Sequence, residues 1–152
     1  VYRELLKSYF PQLRRIRITV GYEARAFNIE EAASLIYTHP RLLSLQEMYR
    51  VAAFYRPGTE QYREIYEIAA YHFPDDVLAN INAASAVIMA GDPVSARQYL
   101  NKVADDPRAW NDFGVLAYLE GDRKKAEKWF RKALGIEPEK ARKNLKKMKY
   151  EE

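Results

Sequence analysis

Residues 110–138 read WNDFGVLAYLEGDRKKAEKWFRKALGIEP, and this stretch decides how the rest of the chain is read. Trp110, Phe113 and Gly114 recur at helical spacing before the break at Gly121; Ala126, Phe130 and Ala133 recur after it, and Pro138 closes the second run. The pattern is a pair of helices joined by a tight turn. Gly114 and Ala126 are small enough for the two helices to approach closely, while Trp110, Phe113 and Phe130 fill the space on either side. Truncating Trp110 to alanine is then expected to cost roughly 3–5 kcal/mol, a large fraction of the roughly 5–15 kcal/mol available to a whole domain.

Two earlier segments carry the same spacing. Tyr62, Tyr66, Ala69 and Pro74 match Ala126, Phe130, Ala133 and Pro138 position for position, and Ala96, Leu100 and Val103 match the first three of them. A first helix precedes each of these second helices, and most starts carry a capping residue. Ser44 with Glu47 makes a capping box ahead of Leu45, Met48, Tyr49, Ala52 and Ala53, Asp75-Asp76 precedes Leu78, Ile81, Ala84, Val87 and Ile88, and Asp105-Asp106-Pro107 precedes Trp110. Thr59 and Asp92-Pro93 start the second helices of the first two units. Upstream, Asn28 with Glu31 caps a helix that ends at His39-Pro40. The units span about 43–76, 77–106 and 107–140, followed by a capping helix over 141–150 with Ala141, Leu145 and Met148 on one stripe.

With Trp110, Phe113, Gly114, Ala126, Phe130 and Pro138 in place, the third unit resembles the tetratricopeptide repeat (TPR) signature at nearly every position, departing at Ala117, where the family usually has tyrosine. The two upstream units are degenerate. The resemblance covers about Leu43 to Lys140 and implies a mainly α fold: a stack of antiparallel helix hairpins, an α-solenoid, within a helical domain over 28–152. Gly91 and Gly121 lie 30 residues apart against the family period of about 34, so the middle hairpin is expected to stack at an altered angle. TPR arrays bind on the concave face of their first helices. In this register that face comprises Glu47, Val51, Phe54 and Tyr55, then Asn82, Ser85, Ile88 and Met89, then Arg108, Asn111, Val115, Tyr118 and Leu119. Phe54, Tyr55, Ile88, Met89 and Tyr118 would supply apolar contact, and Asn82 and Asn111 hydrogen bonds, to a protein or peptide partner in helical or extended form. The face lacks the Lys, Asn and Arg set that resembles a carboxylate clamp. The chain's own flanking helices, 141–150 or the one after Asn28, compete as occupants.

Residues 1–27 differ in character. After a short helical pattern (Tyr2, Leu5, Leu6), Ile16, Ile18, Val20, Tyr22 and Ala24 alternate with Arg15, Arg17, Thr19, Gly21, Glu23 and Arg25, the period-two pattern of a β segment with one buried face. A lone strand leaves its backbone unpaired. It therefore bends into a hairpin at Gly21, pairs with its copy in a homodimer through residues 16–24, or completes a sheet formed by residues before Val1. The order of short helix, PQLRRIRITVGYEARAF, FPDD, ANINAA and a TPR unit resembles bacterial envelope proteins in which an OmpA-like segment precedes TPR-type helices. That resemblance implies an envelope location, periplasmic or outer-membrane associated, the alternative being cytoplasmic. It carries no peptidoglycan-binding residue onto this chain. The start at Val1 in place of Met points to a processed protein or the tail of a longer one.

Composition narrows the function. Cysteine is absent from the 152 residues, which excludes disulfides and thiolate metal sites. No apolar run reaches the roughly 18–20 residues of a membrane span. His39 and His72 stand apart, no nucleotide-binding or hydrolase motif is present, and Glu30-Glu31 and Asp75-Asp76 sit where helix N-termini favour acids. The expectation is a non-enzymatic scaffold with no cofactor and no metal. A net charge of +4, with bases concentrated from Arg123 to Lys149, leaves an anion or nucleic-acid module as the second class. The pairs Glu120/Lys124, Glu127/Arg131 and Glu139/Lys143 favour solvated helix faces over that class.

Overall fold

The computed structural model describes residues 1–9, 19–21 and 25–150. Among the described residues there are nine α-helices and no strand. They are α1 (Tyr2–Glu4, continued by a π-turn over Leu5–Tyr9), α2 (Ile29–Leu35), α3 (Leu45–Ala52), α4 (Glu60–His72), α5 (Val77–Met89), α6 (Pro93–Asn101), α7 (Trp110–Leu119), α8 (Arg123–Ala133) and α9 (Pro138–Tyr150). The expected β segment is not seen. Residues 13–18 and 22–24 of it lie outside the described residues, and 19–21 and 25–27 carry no regular secondary structure.

Helix starts follow the caps expected from the sequence. Asn28 and Ser44 form reciprocal boxes with Glu31 and Glu47, and Thr59, Asp76 and Asp92 accept from the third helical N–H of α4, α5 and α6. Asp106 instead starts a 3-10 turn over Pro107–Ala109 that feeds α7. Helix stops are equally local. Gly91 and Gly121 both take φ of 83°, and in both turns the following aspartate N–H reaches a carbonyl five residues back, Asp92 to Val87 and Asp122 to Ala117, each at 2.9 Å. This is the left-handed glycine stop of a helix C-terminus, used twice in the same form. Asp92 and Asp122 then cap the next helix alike.

Packing is sequential. Each helix from α2 to α9 lies against its neighbour in the chain, and α7 also touches both α5 and α9. The buried side chains form a run of clusters along this series. Ala32, Ile36, Met48, Val51 and Ile65 join α2, α3 and α4; Ala70, Ala79 and Ala83 join α4 to α5; Ile81, Val87, Leu100 and Leu116 join α5, α6 and α7; Ala117, Ala126, Phe130 and Met148 join α7, α8 and α9. Alanines carry many of the closest approaches. Across these joints run a few polar ties: Tyr99 donates to Glu67 at 3.3 Å, Arg97 pairs with Glu120, and Ser85 donates to Asp112 at 2.8 Å.

The tightest joint is α7 on α8. A Cβ added to Gly114 would stand 2.4 Å from Cε1 of Phe130, whose side chain is fully buried. The aromatic filling departs from expectation. Trp110 is half-buried, not enclosed, and Phe113 stacks on Trp129 with ring centroids 5.1 Å apart, while the Lys132 ammonium lies 4.6 Å from the Trp129 ring and 5.6 Å from that of Trp110. The cost of truncating Trp110 therefore falls below the roughly 3–5 kcal/mol of a fully buried ring. Glu120 pairs across to Arg97 of α6 and not with Lys124, which the Gly121 stop places in the next helix, whereas Glu127–Arg131 forms as expected at 2.7 Å.

Gly114→Ala should destabilise the protein by about 1–3 kcal/mol through overpacking, despite the higher helix propensity of alanine. Combined with Phe130→Leu, which opens space at the same point, its cost should fall well below the sum of the two single variants in urea melts. Strict additivity would show that the approach at Gly114 is not a contact between these two residues.

Candidate functional site

The first helices expected to line a binding face are α3, α5 and α7, and the chain itself covers both ends of that set. At the C-terminal end, Asn111 is only 6% exposed and its Oδ1 accepts from Asn144 Nδ2 of α9 at 3.0 Å. Tyr118 is half-buried against the cluster containing Met148, with the Arg123 guanidinium 5.8 Å from its ring. Arg123 in turn donates to the Met148 carbonyl. Asn111 and Tyr118 thus serve as seats for the chain's own terminal helix. Val115 shares that cluster, and Ile88 is half-buried against the one joining α5 to α7.

At the other end, Glu47 has a role that its position on the face did not announce. Its Oε2 accepts from the Ser44 backbone N–H at 2.8 Å and from the Ser44 hydroxyl at 2.6 Å, and its Oε1 accepts from the backbone N–H of Phe27 at 2.7 Å. The Ser44 hydroxyl, with these backbone donors and Arg50 adding to it, holds the Glu47 carboxyl below the usual carboxylate range. Arg50 donates to the Phe27 carbonyl at 3.2 Å. Beside this lead, Arg25 grips Glu31 with two bonds of 2.7 and 2.8 Å, and this fork, ahead of the Asn28 backbone N–H, lowers the Glu31 carboxyl to about 2.

At this same end, between α2 and α3, lies an apolar cleft of about 260 Å³ lined by Ile29, Glu30, Ala33, Val51, Phe54 and Tyr55. Two of the expected site residues, Phe54 and Tyr55, form one wall of it, and Phe54 is 72% exposed. Met89, 53% exposed, comes close to the loop that follows them, since a Cβ on Gly58 would lie 3.4 Å from the Met89 carbonyl and 3.9 Å from its Cβ. Asn82 stands on α5 facing the phenol of Tyr49, whose pKa burial raises and Asn82 lowers. The structure thus brings Phe54 and Tyr55 together at one cleft, sets Met89 beside Gly58 outside that cleft, and places Asn111 and Tyr118 beneath α9. Ile29, Glu30, Ala33 and Val51 complete the cleft, and only Val51 lay on the expected face; α2 brings the other three, through a contact that the helical spacing does not encode.

A second cleft, between α8 and α9, is lined by Arg123, Lys124, Glu127, Leu145, Met148 and Lys149. His39 is exposed and His72 half-buried with its ring edge-on to Tyr71, and among the described residues no cluster of His, Asp and Glu is arranged to hold a metal ion. No helix among them is long and apolar enough to cross a membrane. No protein-family model and no curated protein matches this chain.

One carboxyl has its ionisation displaced upward: Asp112, on α7 opposite Ser85. Burial is the main cause, raising its carboxyl from 3.8 to about 6, with Glu137 adding to the rise while Ser85, Lys140 and Asn111 oppose it. Because the folded value is the higher one, the stabilising contribution is complete below the unfolded pKa near 4 and is lost as pH rises through about 6. At about 1.4 kcal/mol per unit this amounts to at most about 3 kcal/mol. Asp112→Asn should therefore be more stable than the parent at pH 7.5 by roughly 1–3 kcal/mol, with the gap closing by pH 4.5 in denaturant melts. A gap independent of pH would contradict the assignment.

Proposed function

We propose that this chain is a non-enzymatic, TPR-like interaction module that captures an apolar peptide or protein segment in the Phe54–Tyr55 cleft, as part of a bacterial envelope protein. One observation carries the reading: Phe54 is 72% exposed above a cleft lined otherwise by Ile29, Ala33, Val51 and Tyr55, with Glu30 its one charged group. A phenylalanine left in water forgoes roughly 1.5–3 kcal/mol of burial, and an aromatic anchor beside a preformed pocket is the arrangement on which binding energy concentrates. Met89 extends the apolar surface toward α5. The repeated glycine stop and aspartate cap at Gly91-Asp92 and Gly121-Asp122, together with the sequential packing, support a repeat-like stack as the scaffold. The envelope setting rests on the N-terminal resemblance alone.

The polar contribution expected from Asn111 is reassigned, since that side chain already binds Asn144; Glu30 on the rim of the cleft is the polar group nearest the apolar walls. The partner that fits is an extended or helical segment presenting one large apolar side chain to the cleft.

A peptide library selected on the whole chain should yield sequences with a recurrent aromatic or large aliphatic residue. Phe54→Ser should weaken their binding by about tenfold or more, Tyr118→Phe should leave it unchanged, and salt between 50 and 500 mM should alter it little. Selection of acidic sequences whose affinity falls steeply with salt would transfer the site to the basic helices α8 and α9.

A further inference from the structure

The wall of the cleft formed by α2 is short. Over its seven residues only Ala32 is fully buried, with Ile36 just beyond its end, while Ile29 and Leu35 pack half-buried against the same cluster. Its two ends are fixed differently. Past the C-terminal end the Tyr37 hydroxyl donates to Glu64 of α4 at 3.2 Å in an exposed contact. Before the N-terminal end the chain is held through its backbone: the Phe27 N–H donates to Glu47 and its carbonyl accepts from Arg50, twenty and twenty-three residues away in sequence. Both polar groups of one peptide-chain residue are thus bound by charged side chains of a single helix.

Such bonds are charge-assisted and stronger than those between neutral groups. Glu47 is suited to the task because it is only 6% exposed and is oriented by Ser44, so its carboxylate is fixed before Phe27 arrives. The Phe27 ring adds contact with the cluster formed by Ala32, Met48 and Val51. Two residues after Phe27 come Ile29 and Glu30, which line the cleft directly.

From this arrangement we infer that Glu47 and Arg50 form a main-chain clamp on Phe27, a latch that fastens α2 onto α3 and so sets the width of the Phe54–Tyr55 cleft. Neither clamp residue lines that cleft. They are positioning residues, and the segment Arg25–Asn28 is the strap they hold. Releasing the strap frees the α2 wall to swing about its Tyr37 end and opens the cleft, which links whatever precedes Arg25 in the chain to the candidate site. The last step rests on the function proposed above; the clamp itself does not.

The test uses the whole chain. Because it contains no cysteine, Ser34→Cys on α2 and Gln61→Cys on α4, both at exposed positions, give a clean pair for spin labels. Amide exchange and the 34–61 distance distribution are compared with and without Glu47→Gln/Arg50→Met. In the parent the Phe27 amide should exchange slowly and the distribution should be narrow. The double substitution should speed exchange at Phe27 and Ala32 by about tenfold to a hundredfold, the range expected for losing charge-assisted bonds, and broaden the distribution, while α7 and α8 amides stay unchanged. Should the double variant lose its fold by circular dichroism, Arg50→Met alone, at an exposed position, carries the comparison. A Phe27 amide that exchanges at the unfolded-chain rate in the parent, or a distribution that the substitution leaves as narrow as before, overturns the clamp. If the strap is released as described but selected peptides bind the variant as they bind the parent, the clamp stands and the cleft is not the binding site.

Discussion

The close approach of α7 to α8, possible only because Gly114 has no side chain to meet the Phe130 ring, is the constraint from which the rest of the architecture follows. It brings Ala117, Ala126 and Phe130 into one cluster, and that cluster is the surface on which Met148 and hence α9 rest. The register of this contact recurs with decreasing fidelity toward the N-terminus. By spacing alone, Leu100 and Tyr66 stand where Phe130 does, and Ala84 and Arg50 where Gly114 does. Ala84 and Leu100 are buried in one cluster. In the first hairpin Tyr66 packs instead on Tyr49, with ring centroids 5.4 Å apart, while Arg50 is exposed and its guanidinium reaches the Phe27 carbonyl.

Features encoded within a few residues were legible in the sequence. The capping boxes at Asn28 and Ser44, the aspartate caps and the glycine stops depend on local geometry alone, so spacing sufficed to find them. The identity of the tight joint was legible too, because Gly114 and Phe130 lie on complementary helix faces. What spacing could not show is which partner a side chain finds across the fold. Trp129 stacks on Phe113 in the place where Trp110 was expected to carry the filling, and Glu120 pairs with Arg97 of α6, the Gly121 stop having set Lys124 in a different helix. Asp112 gave no signal at all, since its displaced carboxyl arises from burial opposite Ser85. The alternation over residues 16–24 predicted a strand, and the described part of that stretch has none.

The candidate site changed in composition for the same reason. Asn111 and Tyr118 stood at face positions by register, yet a face at the end of a short stack is available to the segment that follows it, and α9 takes it. At the opposite end Glu47 and Arg50 are engaged with the lead ahead of α2. What stays open is the Phe54–Tyr55 cleft with Met89 nearby, a smaller and more apolar surface than the whole face. The proposed binding cleft accordingly lies in the least regular hairpin, and the tightest joint in the most regular one.

That division of labour makes a claim about how stability is distributed along the chain. Native-state amide exchange measured residue by residue tests it most directly. The slowest amides should lie where α7 faces α8, around Leu116 and Phe130, with protection declining through α5 and α6 to its lowest values in α2 and the strap. If the slowest amides lie in α3 and α4, or if all helices open in one step with equal protection, the Gly114–Phe130 joint is not the element on which the fold depends.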